Sequence, residues 1–184
     1  MAVLDTKSEK LSGLEINYSG SLKKITAFRQ YNNRFYLTDA AAGQIYRFTK
    51  NGDRLSGATP WLNGPADLTN VVSLDIDGDI YLLKNNGEIS KYSKGKKQDL
   101  AVTAVEPALT RPAKITASPE QNYLYVLEPL NKRLVVFDKT GKFINQYTGD
   151  KLDNLKDFQI DEKNKKIYLL NGAIVYSIDL ANAK

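Results

Sequence analysis

The segment VVSLDIDGDIY (71–81) sets Asp75, Asp77 and Asp79 at alternate positions around Gly78. Carboxylates at every second residue are what a calcium loop offers a hard cation, so metal binding is the first chemistry to test. An EF-hand loop counted from Asp75 needs glycine at its sixth position and glutamate at its twelfth. The chain has Ile80 and Asn86 there, and its glycine comes two positions early. The run reads instead as the corner of a β-hairpin, where Asp-Gly supplies the positive φ of a tight turn.

Other chemistries are excluded more simply. The 184 residues contain no histidine and no cysteine, which removes thiol nucleophiles, histidine-based triads, disulfides and thiolate metal sites. No Gly-rich phosphate loop occurs, and KTGKF (139–143) reads as a turn. No cofactor is expected. The net charge of +5 comes from short lysine clusters, KGKKQ (94–98) and KNKK (163–166), which read as solvated hairpin tips. Lys91, Tyr92, Lys94, Lys96 and Lys97 are the best nucleic-acid candidates, but Tyr92 falls in a core register, so nucleic acid is not the expected partner. No apolar run approaches the roughly 20 residues that cross a bilayer. The opening MAVLDTKSEK lacks the basic and apolar regions of a signal peptide. That leaves two compartments open, the cytoplasm or an export route with the targeting segment missing.

What must position any site is a repeat. The runs FYL (35–37), IYL (80–82), LYV (124–126) and IYL (167–169) carry Tyr36, Tyr81, Tyr125 and Tyr168 at steps of 45, 44 and 43 residues. Leu11, Leu55, Leu100 and Phe143 repeat at 44, 45 and 43, and Phe48, Tyr92 and Phe137 at 44 and 45. Each repeat alternates short β-rich runs with polar turns (QYNN, DGD, SPEQN, DEKNK), and no window holds a helical period. Four antiparallel strands per period is the pattern of a β-propeller blade. The sequence therefore predicts an all-β propeller, a single domain spanning 1–184. Its repeats run over 22–64, 65–107, 108–151 and 152–180, the last completed by 9–18.

Residues 112–149, PAKITASPEQNYLYVLEPLNKRLVVFDKTGKFINQYTG, resemble a blade of the NHL/YVTN class, with Asn131 and Arg133 in an Asn-x-Arg turn. The first two repeats keep the strands but lack that arginine, and the fourth is truncated. The resemblance implies a propeller; members of the class bind proteins, RNA or small molecules, and a few are enzymes.

EKLSG (9–13) nearly copies DRLSG (53–57), so residues 10–18 are expected to pair with the strand around 174–180 and supply its missing neighbour. AVLD (2–5) also resembles the end of a third strand, which suggests a loose arm, a piece of a longer propeller, or strand exchange with a second copy.

Two sets of candidate site residues follow. Counting back from each tyrosine aligns Thr26, Ser73, Thr116 and Gln159, either a satisfied polar layer between blades or the lining of an axial channel. The loops between repeats supply candidate contacts Trp61, Asn63, Asn70, Arg111, Asp150 and Asn154. With no catalytic residue and no metal ligand to name, the reading is a non-enzymatic binding or scaffold module. Its partner would be a protein or a second copy, with a small molecule as the alternative and no membrane. Two further readings are an excised or engineered propeller fragment without activity of its own, and a carboxylate- or metal-dependent hydrolase or lactonase.

Overall fold

The computed structural model describes residues 2–117, 119–120 and 122–180. Ser118 and Gln121, within the expected SPEQN corner, and residues 181–184 lie outside the described residues. Among the described residues every regular element is a strand. Two compact units emerge, one of residues up to 69 with the turn 94–96, the other of 70–93 and from 97 onward.

The first unit holds two sheets. β1 (Ala2–Asp5) and β2 (Lys10–Gly13) form a hairpin, with Leu4 opposite Leu11. β3 (Glu15–Ile16), β4 (Ile25–Tyr31), β5 (Arg34–Asp39), β6 (Gln44–Asn51) and β7 (Arg54–Pro60) form the other, in the order β3-β7-β6-β5-β4. Its core gathers Phe35, Leu37, Phe48 and Leu55 under Leu14, with Ile16, Tyr18 and Leu22 packed alongside. Residues 14–22 thus lie as a strap over the Leu37 face.

The second unit holds three sheets. β8 (Val71–Ile76), β9 (Ile80–Lys84), β10 (Ile89–Ser93) and the short β11 (Lys96–Gln98) form the first. β12 (Lys114–Thr116), β13 (Tyr123–Glu128), β14 (Arg133–Asp138) and β15 (Phe143–Thr148) form the next. β16 (Leu155–Asp161), β17 (Lys166–Asn171) and β18 (Ile174–Asp179) complete the set. Runs of β-branched and aromatic residues explain why these segments are strands, and the middle sheet is packed on both of its faces.

One packing rule repeats through this unit. The tyrosine face of a sheet, Tyr81 and Leu83, packs on Leu124 and Val126 of the next. The tyrosine face of that sheet, Tyr125 and Leu127, packs in turn on Ile167 and Leu169. Tyr81 and Tyr125 are fully buried, but Tyr168 is 37% exposed, beside Leu170 at 36% and Val175 at 62%.

The seam differs from expectation. Residues 10–13 pair with β1, β3 runs parallel beside β7, and among the described residues the β16–β18 sheet has three strands. The physical reason is local: Ala2–Asp5 can reach Lys10–Gly13 across a four-residue turn, so the loop-closure cost is small. The Asp5 carboxylate tightens that turn by accepting from the Lys7 N–H at 2.9 Å and the Ser8 hydroxyl at 2.8 Å. The second repeat also departs from four full strands. β11 stops at Gln98 and no strand follows until β12, although Leu100 still packs on the core in its fourth-strand register.

Candidate functional site

The three aspartates of the opening segment are all engaged. Asp75 is buried and accepts the Ala117 N–H at 2.9 Å and its neighbour Ile76 N–H at 2.9 Å, stitching β8 to the start of the next sheet. Asp77 accepts from Lys139 and, at 3.1 Å, from the Asp79 N–H. Asp79 pairs with Lys91 at 3.0 Å. Burial opposes its ionisation, but hydrogen bonds from Ser93 and Lys91 and the charge of Lys139 hold its carboxyl below the ordinary range. Lys91 and Lys139 lie 5.5 and 5.4 Å from the ring centre of Tyr81, whose hydroxyl burial pushes to higher pKa. Among the described residues no cluster of three acidic groups is arranged for a cation. Titrating millimolar calcium or magnesium into the protein should leave its melting temperature unchanged; a rise with ion concentration would show a site that binds the native state.

The expected axial column divides between two rows. Cross-strand pairing sets Arg29, Asp75, Thr116 and Gln159 opposite the four tyrosines. Thr26 and Ser73 sit in the adjoining row, where Ser73 faces Leu83 and Ala27 faces Thr38. Hydrogen bonds occupy three of them: Thr26 and Thr38 hydroxyls lie 2.9 Å apart, Ser73 Oγ accepts from Ile115 N–H at 3.2 Å, and Gln159 Nε2 donates to Ile160 O at 3.3 Å. Thr116 is half-buried and Gln159 exposed. In Ser73's row, Lys114 Nζ donates to Asp157 at 2.5 Å and to Phe158 O at 3.1 Å, linking the last two sheets.

A more consequential column lies three residues past each tyrosine: Asp39, Lys84, Glu128 and Asn171. Three of them fasten the loop that enters their own sheet. Asp39, fully buried, accepts four backbone N–H groups, from Lys23 and Lys24 at 2.8 and 3.0 Å and from Ala41 and Ala42 at 3.2 Å. Glu128, fully buried, accepts the Thr110 N–H and the Arg133 Nε at 2.5 Å. Asn171 accepts the Asn154 N–H at 2.8 Å and donates to Lys151 O at 3.0 Å. Lys84 pairs with Glu88 across its own hairpin at 3.1 Å. The regular spacing was visible in the sequence, but the residue types differ, and only the fold shows that they share a task.

Within each unit the loop candidates lie near the strand ends that this column holds. In the first unit Trp61 is half-buried, edge-on to Tyr36 at 6.3 Å, and Asn63 N–H donates to Gly95 O at 3.0 Å. In the second unit Asn85 joins two of them: its N–H donates to Asn70 O at 2.9 Å, and its carbonyl accepts from Arg111 N–H at 3.0 Å. Asn70 and Arg111 are exposed, with φ of 61° and 54°. Asn154 is exposed and its carbonyl accepts the Gly172 N–H at 2.8 Å; Asp150 is exposed as well. Leu130, 57% exposed, tips the β13–β14 hairpin.

Where the second repeat lacks a long fourth strand, a cleft of about 420 Å³ opens beside Asn85. Ile89, Leu100, Val102, Val105 and Leu109 line it, with Glu88 at its polar side. Burial opposes ionisation of Glu88, but Lys84 and Ser90 hold its carboxyl below the ordinary range. Gly87 is required here: its φ is 91°, and a Cβ would come within 2.7 Å of Leu109 Cβ.

No family profile matches the chain, and no curated protein does. Solved structures do. A computationally designed protein, Ika4, superposes with a TM-score of 0.61 at 16% identity over 92% of this chain and 99% of its own. A streptogramin B lyase gives 0.57 at 18% identity over 98% of this chain and 62% of its own. A nidogen/laminin complex gives 0.56 at 14% identity, covering 78% and 57%. The chain thus spans less than two thirds of the lyase and of the nidogen/laminin chain. At these identities the likeness shows the fold alone: an all-β propeller with four blade sheets, in keeping with the NHL/YVTN resemblance of the third repeat.

Proposed function

We propose that this propeller is a non-enzymatic binding module that takes its partner, an extended segment of another protein, at the loop end of the second unit. The observation that carries the reading is the apolar cleft between Ile89, Leu100, Val102 and Leu109, beside the Asn70–Asn85–Arg111 loop cluster. Asp39 and Glu128 are occupied in fastening loops, and Asp75 and Asp157 in joining sheets. Loops held on a rigid scaffold, with an apolar cleft at their side, suit recognition better than bond-making.

The test is a displayed library of unstructured peptides panned on the protein. Selected peptides should bind the native protein and lose at least about tenfold in affinity on Val102→Asp, because a charge in the cleft forfeits the burial of roughly one apolar side chain. Peptides that bind both proteins equally, or a library that yields no binder, would end this reading.

A further inference from the structure

We infer that two copies of this chain exchange residues 10–16, each donating them as the fourth strand of the other's β16–β18 sheet. This surface is distinct from the cleft, and the inference does not rest on the binding reading.

Three observations converge on it. First, among the described residues β18 has no strand on its outer side, whereas β15 fills that place in the preceding sheet. Second, the chain carries a fourth-strand sequence that is not used as one. Residues 10–16, KLSGLEI, align with 54–60, RLSGATP, which form β7. Leu55 of β7 is fully buried, while its counterpart Leu11 is 71% exposed on a two-stranded hairpin. Third, the tyrosine face of the last sheet, with Tyr168, Leu170 and Val175, is exposed. In the two preceding sheets such a face is covered by the Val126- or Leu169-type face of a following sheet. This chain has one further face of that second type, carrying Leu37, and the strap 14–22 covers it.

Moving the strap therefore does two things at once. It delivers a fourth strand to β18, and it bares the Leu37 face that complements Tyr168 and Leu170. Two copies that do this reciprocally form a closed pair in which neither β18 remains an open outer edge, the low-cost route to a symmetric dimer. The occupant is a second copy because in the single chain residues 10–13 pair with β1 and 15–16 with β7, and neither pairs with β18. The register follows from the first sheet, where Ser56 faces Thr49 and Leu55 faces Lys50. Transferred to the last sheet, Ser12 of one copy faces Asp179 of the other, and Leu11 faces Leu180.

The chain has no cysteine, so crosslinking is unambiguous. A Ser12→Cys protein mixed with an Asp179→Cys protein and oxidised should give a covalent dimer of about twice 20.6 kDa, well beyond what either variant gives alone. Light scattering of the unmodified protein should show a dimer at micromolar concentration. Leu11→Asp, which touches no core in the single chain, should weaken that dimer by about tenfold or more. A protein that stays monomeric overturns the inference. So does a dimer that Leu11→Asp leaves intact, or a disulfide found only within one chain when both cysteines are placed together.

Discussion

Arg133→Met should destabilise the protein by about 3–5 kcal/mol, roughly 10 °C in melting temperature for a chain of this size. The guanidinium is 1% exposed and every face of it is used. Its Nε donates to Glu128 at 2.5 Å, and Nη1 donates to Gln146 Oε1 at 2.7 Å and Glu106 O at 3.2 Å. Nη2 donates to Pro107 O. Methionine fills much the same volume, so the loss is electrostatic: a buried carboxylate without its cation, the Pro107 carbonyl without its arginine donor, and Glu106 O left with the 3.4 Å bond from Gln146 Nε2. Adding Glu128→Gln should recover a sizeable part, because the amide oxygen still accepts from Thr110 without leaving a charge. Urea titration of the three variants measures both effects. A loss under about 1 kcal/mol, the size found for exposed pairs, would mean that solvent reaches the pair.

That arginine shows how far the sequence reads. Arg133 stood out in the Asn-x-Arg turn of the third repeat, and its absence from the first two was equally plain. Its work was not legible, because its partners are a glutamate five residues back and loop carbonyls some 26 residues away. The period, the strand runs and the tyrosine column were legible because short apolar runs rich in β-branched and aromatic residues, bounded by polar turns, recur at one spacing. The axial column was not. The corner between the first two strands has two residues at 32–33, three at 77–79 and four at 162–165, so the residues opposite Tyr36 and Tyr81 are Arg29 and Asp75, nearer in sequence than Thr26 and Ser73. The seam illustrates a third limit. DRLSG and EKLSG are almost one sequence, yet Leu55 is buried and Leu11 is not. Pairing is decided by which partner strand is near, and a near copy does not carry its neighbour with it.

Asp39→Ala should cost about 2–3 kcal/mol and flatten the acid limb of the stability curve. The carboxylate is fully buried at the end of β5, and burial alone would favour its neutral form. Four N–H donors on residues 23, 24, 41 and 42 outweigh that and hold its pKa below the ordinary value of 3.8. The sign follows from linkage. A group whose folded pKa is depressed binds its proton more readily in the unfolded chain, so its contribution is present in full above the ordinary carboxylate range. It is lost as pH falls through that range to the lower folded value. Native Asp39 should therefore give a stability that declines below about pH 4, and the variant a smaller decline over the same interval. The substitution also loosens the chain that leads into β4, because the Lys23 and Lys24 N–H groups both donate to Asp39. Amide exchange at residues 23 and 24 should rise with the loss of stability. Unchanged exchange there, with stability reduced, would place the cost on the β5–β6 turn at Ala41 and Ala42 instead.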